Sequence, residues 1–213
     1  MKGVIFDFDG TLFNSMNFWD NFFVIYLNQK GKTVSNEEKK IIESFPSLIK
    51  ACEYMKEKFN ISETPAAIEK EILFLIEMNY KYNIPLKPYV HAFLNKLKKK
   101  NIKMCIATAT DKCFIEYALK RHNVYDMFEF IITSSEVGTR KKDSAKIYEE
   151  ALLKLGTTKE DTVVFEDFYP AILTAKNAGF NVVGVYDELF ENDKKQIEEI
   201  ADKYIKNYNE YII

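Results

Sequence analysis

Histidine, cysteine, tryptophan and proline are scarce in this chain: two, three, one and five among 213 residues. His91 lies off the apolar face of its helical segment and His122 near a helix end, so no histidine-based metal or nucleophile constellation is on offer. Cys52, Cys105 and Cys113 form no CxxC pair and no ligand spacing, which excludes a zinc or dithiol motif and suits a reducing compartment. Long apolar runs are missing too. The longest, residues 22–27, is far too short to span a bilayer. Acidic residues by position 7 leave no room for the apolar region of a signal peptide, so a cytoplasmic location is expected. Charge of one sign is also lacking, with 30 basic against 32 acidic residues, interspersed, for a formal charge of -2. That balance argues against nucleic acid or an anionic membrane as the main partner.

Hydrophobic residues, at 47% with 15% aromatics, are sufficient for a full core. Five short apolar runs read as buried parallel strands: residues 3–8, 103–108, 129–133, 162–166 and 181–186. From position 89 on they alternate with helical segments, the pattern of an α/β protein with a Rossmann-like, doubly wound parallel sheet. Pro88 and Tyr89 are expected to open one helix, and Gly156 and Gly179 to end two others. Tyr204-Ile205 reads equally as a helix end or a short edge strand. Between residues 15 and 85 only helical spacing appears: Phe18, Phe22 and Tyr26, then a capping box at Ser35 and Glu38, then Thr64-Pro65 before Ile68, Ile72, Leu75 and Ile76. The expected organisation is a core of residues 1–14 and 86–213 with a helical domain, 15–85, inserted after the first strand.

The chemistry collects at the strand ends, where doubly wound sheets bind their ligands. The first strand, VIFDFDGTLFNS from Val4, carries Asp7 and Asp9. The second ends at Thr108-Ala109, and the fourth at Glu166-Asp167. The loop after the third holds Arg140, Lys141 and Lys142. Carboxylates gathered in a partly dry cleft repel one another, and a hard divalent cation with oxygen ligands offsets them. The hydroxyl and an ammonium then suit phosphoryl oxygens.

These residues resemble the four motifs of the haloacid dehalogenase-like hydrolases, in the phosphatase and β-phosphoglucomutase branch with a helical cap of the first type. Asp7-Phe8-Asp9-Gly10-Thr11 is similar to the first motif, DxDGT. Thr108 is similar to the second, Lys142 to the third and Glu166-Asp167 to the fourth. The resemblance implies that Asp7 is the nucleophile, forming an aspartyl-phosphate, and that Asp9 is the general acid and then the base. Thr108, the Ala109 N–H and Lys142 would hold the phosphoryl group. Asp7, the Asp9 carbonyl, Asp167 and Glu166 would surround Mg²⁺. Setting Ile147-Tyr148 on the usual apolar pair of the following helix selects Lys142, with Lys141 the alternative. Trp19, early in the helical insert, is a candidate substrate contact, though an aromatic stretch there reads first as packing.

The implied activity is Mg²⁺-dependent hydrolysis of a small phosphorylated metabolite. A β-phosphoglucomutase-like mutase is the alternative; such proteins commonly place a histidine where this chain has Trp19. A phospho-receiver fits less well, because Asp-x-Asp sits on the first strand and a helical insert follows. A binding protein without catalysis fits poorly with every chemical position filled. The inserted domain is expected to close over the cleft on hinges at residues 13–14 and 86–87. Substrate and oligomeric state have no signature in the sequence.

Overall fold

The computed structural model describes residues 1–212. In chain order the elements are β1 (Gly3–Phe6), α1 (Met16–Gln29), α2 (Asn36–Glu43), α3 (Leu48–Lys58), α4 (Pro65–Tyr82), α5 (Val90–Lys99), β2 (Lys103–Thr108), α6 (Lys112–Arg121), β3 (Phe130–Thr133), α7 (Ser134–Val137), α8 (Lys146–Leu155), β4 (Thr162–Glu166), α9 (Tyr169–Asn177), β5 (Asn181–Val185), α10 (Lys194–Ile200) and β6 (Lys203–Ile205). The chain divides into two compact units. One comprises Met1–Met16 and the described chain from Ile84 onward; the other is Asn17–Asn83.

The first unit holds a six-stranded sheet in the order β3-β2-β1-β4-β5-β6, whose neighbouring strands all run parallel. Strand order reverses at β1, whose neighbours β2 and β4 follow it by very different chain distances. This is the doubly wound arrangement in which the carboxyl ends of the central strands form a ligand crevice. Both faces are dry. Ile5, Cys105, Ile132, Val164 and Val182 pack with Tyr148 of α8 and Ile172 of α9. On the other face Phe6 lies against Phe93 of α5 and Phe165. Residues one apart on a strand therefore serve opposite cores, as a period of two requires.

The second unit is helical. Ser35 and Glu38 close a reciprocal capping box on α2, and the Thr64 hydroxyl accepts from Ala67 N–H with Pro65 in the first turn of α4. Cys52 and Met55 of α3, and Ile68, Ile72 and Ile76 of α4, are buried. No helix among the described residues is long and apolar enough to cross a membrane.

Two expectations are corrected and one open reading is decided. β1 stops at Phe6, not at residue 8, because after Asp7 the chain folds on itself: Gly10 N–H donates to Phe13 O, and Leu12 and Phe13 N–H both donate to Phe8 O. Tyr204-Ile205 belongs to an edge strand, β6. Pro88 and Tyr89 precede α5 instead of opening it: Val90 N–H reaches back to Lys87 O, and Tyr89 has φ +67°. Proline second and positive φ third is the pattern of a type II turn, an unusual place for tyrosine.

Candidate active site

The site is assembled from strand ends that the sheet sets side by side. Phe6 pairs with Phe165, and Asp7 N–H extends that ladder by one bond to Phe165 O at 2.9 Å. Asp7, at the end of β1, thereby comes beside Glu166 and Asp167, at the end of β4. Carboxylate oxygens of these three buried residues lie within 4.8 Å of one another. Their side chains come from two strand ends more than 150 residues apart in the chain, so only the parallel pairing brings them together.

Each carboxylate is differently held. Glu166 is fully buried; its Oε2 accepts from Lys141 Nζ at 2.9 Å and from the Tyr148 hydroxyl at 3.1 Å, and its Oε1 from Phe168 N–H at 3.3 Å. Lys141 Nζ also forms an ion pair with Asp7 Oδ1. Asp167 Oδ1 accepts from the Thr11 hydroxyl at 2.8 Å, while its Oδ2 is buried with no hydrogen-bond partner. Gly10 makes this approach possible. It has φ +77°, and a Cβ there would fall 2.0 Å from Asp167 Oδ2.

The electrostatics follow from three acids around one ammonium. Burial, and then the charge of Glu166, push the Asp7 carboxyl up to about 7 against the pull of Lys141. Burial, Glu166 and Asp7 hold the Asp167 carboxyl well above the ordinary range, against Lys87 and the Thr11 hydroxyl. Burial works against the Lys141 ammonium, but Asp7 and Glu166 outweigh it and raise its pKa above that of an ordinary lysine. Lys141 is thus a fixed positive charge. With all three acids ionised, two negative charges remain uncompensated in a dry setting, which is costly. A hard divalent cation fits this donor set, and the buried, unpartnered Asp167 Oδ2 is the kind of atom it would satisfy.

Lys142 is the site residue that sequence reasoning misplaced. Its side chain is exposed, and its carbonyl accepts from the Thr174 hydroxyl at 3.0 Å. Lys141 is the buried residue, and it reaches the acids. The helical register alone could not show this, because Ser144 and Ala145 lie outside α8, which begins at Lys146.

Asp9 stands apart from the three clustered acids. It is half-buried and accepts from the Thr110 hydroxyl through Oδ2 at 2.6 Å. Thr108 closes β2 and is buried; its hydroxyl accepts from Thr110 N–H at 3.1 Å, and Ala109 between them is exposed. Trp19 belongs to the other unit. There its indole N–H donates to the Tyr80 hydroxyl at 2.8 Å, and its ring meets Phe22 edge-on. Thr110, Tyr148 and Thr11 carry hydrogen bonds of this site that sequence reasoning did not assign. Only Thr11 had a signal, as the last residue of the quoted motif; Tyr148 reads as an apolar helix position.

Comparison with known proteins agrees with this geometry. The family model described as haloacid dehalogenase-like hydrolase matches residues 4–185. The chain is 28% identical over 208 residues to the glyceraldehyde 3-phosphate phosphatase of Methanothermobacter thermautotrophicus, covering 93% of this chain and 91% of that one. It is also 28% identical over 206 residues to the phosphorylated carbohydrates phosphatase of Thermotoga maritima, covering 92% and 90%. Among solved structures, a Thermotoga maritima protein provisionally assigned as a β-phosphoglucomutase superposes with a TM-score of 0.82 at 25% identity, over 97% of this chain and 94% of that one. With its sheet, its motif residues at adjoining strand ends and a family match over most of its length, this chain belongs to the haloacid dehalogenase-like hydrolases.

Proposed function

We propose that the protein is a phosphohydrolase acting on a small phosphorylated metabolite, with Asp7 as nucleophile. The observation that carries this is the placement of Asp7: buried, ion-paired to Lys141, and grouped with Asp167, which keeps one carboxylate oxygen unpartnered. Curated relatives of similar length named as phosphatases support the same reading.

The first step forms a bond from an Asp7 carboxylate oxygen to phosphorus and breaks the bond to the leaving oxygen, whose electron pair takes a proton from Asp9. In the second, a water gives a proton to Asp9 and attacks phosphorus. The bond to Asp7 then breaks and inorganic phosphate is released. Lys141 offsets the charge on Asp7 and on the phosphoryl oxygens, and Glu166, with Tyr148, holds Lys141 in place. Thr108 and the Ala109 N–H bind the phosphoryl group. Asp7, Asp167 and the Asp9 carbonyl would hold Mg²⁺, with Glu166 orienting Lys141 beside them. Bound there, Mg²⁺ supplies charge neutralisation for the phosphoryl group and for the clustered acids. The helical unit is read as the cap that selects substrate, with Trp19 a candidate contact.

The test is hydrolysis of p-nitrophenyl phosphate and of a panel of triose, hexose and polyol phosphates, with Mg²⁺ or EDTA. Metal-dependent release of phosphate, abolished in Asp7→Asn, is the expected result. No turnover anywhere in the panel, or turnover that survives Asp7→Asn, overturns it. The solved structure noted above makes a mutase the second reading. Conversion of β-glucose 1-phosphate to glucose 6-phosphate with a bisphosphate primer, exceeding hydrolysis, would establish that instead.

A further inference from the structure

We infer that Thr110 is the positioning residue for Asp9, holding its carboxyl group for proton donation to the leaving group; this rests on the acid assigned above. Three linked observations carry it. The Thr110 hydroxyl donates to Asp9 Oδ2 at 2.6 Å, a short hydrogen bond. Thr110 is itself oriented, because its N–H donates to the Thr108 hydroxyl at 3.1 Å in a tight side-chain turn at the end of β2. Asp9 is not one of the three grouped acids and is only half-buried, so the Thr110 hydroxyl is an orienting contact on a side chain that is open to the leaving group.

The hydroxyl of threonine has one proton to give, and here it goes to Oδ2. The proton passed to the leaving group therefore belongs on Oδ1. When the phosphorus–oxygen bond breaks, that proton moves to the leaving oxygen, a neutral alcohol departs, and Asp9 is left as a carboxylate. Thr110 continues to donate to it, so the same bond serves the later half-reaction, in which Asp9 takes a proton from water. A carboxyl group free to rotate would lose that alignment, and small misplacements of a reacting group are costly in rate.

The role predicts a dependence on leaving group. An alkoxide needs a proton to depart, whereas p-nitrophenolate departs well without one. The measurement is first-turnover release of the leaving group from p-nitrophenyl phosphate and from the best alkyl phosphomonoester of the panel above. It compares wild type, Thr110→Val, Thr110→Ser and Asp9→Asn. Thr110→Val, nearly isosteric but without the hydroxyl, is expected to lower the ratio of alkyl to aryl release by about tenfold or more. Thr110→Ser restores that ratio to within about threefold of wild type, since it keeps the donor. A loss shared equally by both substrates would mean a merely structural residue and overturn the inference, as would an unchanged ratio in Thr110→Val. The two readings also fail separately. Loss of alkyl release in Asp9→Asn beside an unchanged ratio in Thr110→Val removes the role of Thr110 alone. Alkyl release that persists in Asp9→Asn removes the acid assignment and this inference with it.

Discussion

At position 141 a lysine side chain is buried against two carboxylates; one residue on, at position 142, it is in solvent. Lys141→Ala is accordingly expected to lower kcat/KM by about 10²-fold or more, since it removes the ammonium paired with Asp7, the proposed nucleophile. Lys142→Ala is expected to stay within about twofold of wild type, as for most exposed substitutions away from a site. Steady-state kinetics on p-nitrophenyl phosphate decides between the two, and equal losses would contradict the placement. Asp167 carries a second expectation at this scale. Mg²⁺ should raise the melting temperature of the wild type, because an ion that binds only the folded chain stabilises it by mass action. Asp167→Asn should abolish most of that shift while leaving the metal-free protein folded. Asp7 and Asp9 were legible in the sequence because an acid inside an apolar run has no packing reason to be there. Thr110 was not, because a threonine after a strand is unremarkable until its hydroxyl is seen to meet Asp9.

Elements were legible where local chemistry sets them. The Ser35–Glu38 capping box, Thr64-Pro65 before α4, and left-handed Gly156 and Gly179 each follow from residues within one turn. Element ends that depend on distant partners were not. β6 forms at Lys203–Ile205 only because β5 offers its edge. In the helical unit, Lys30, just past α1, joins Glu63 at 2.5 Å and Glu71 of α4 at 2.8 Å, and the Tyr26 hydroxyl donates to Glu71 at 2.7 Å. The hydrogen bond from Lys30, with a lesser one from Ser62, draws the Glu63 carboxyl down to about 2. The unfolded chain takes up that proton first, near the ordinary glutamate value. The contribution is therefore present above about pH 4.5 and lost as the pH falls toward about 2. Urea midpoints of wild type and Lys30→Met should differ at pH 6, draw together below about pH 4.5 and converge only as the pH approaches about 2. Since Glu63 is partly open to solvent, which screens the pair, the difference is small; a gap that widens in acid would contradict the assignment.

Over the whole molecule, residues far apart in the chain, Thr11 and Tyr208, meet beside the site. Tyr208 is buried, stacks on Phe165 with ring centroids 5.7 Å apart, and donates its hydroxyl to Thr11 O at 3.2 Å. A residue near the C-terminus thus supports the loop that places Thr11 against Asp167. Tyr208→Phe should cost about 1 kcal/mol of stability, the net worth of one hydrogen bond. Tyr208→Ala should cost about 3–5 kcal/mol, the range for emptying an aromatic core position. Equilibrium urea unfolding measures both, and near-equal values would show that the ring does not pack as described.

What the sequence determined by itself was the kind of chemistry and the class of fold. Apolar runs alternating with helical periods dictate a parallel sheet, and acids at the ends of such runs dictate a charged site, because both effects are local and carried by residue type. The tertiary structure decided which charges meet. Lys141 and not Lys142 reaches Asp7, Glu166 becomes the holder of that lysine, and Thr110 and Tyr208 touch the DxDGT loop from far along the chain. Those outcomes depend on the register of strands distant in sequence and on where a loop turns inward, and residue order leaves both open until the sheet has closed around β1.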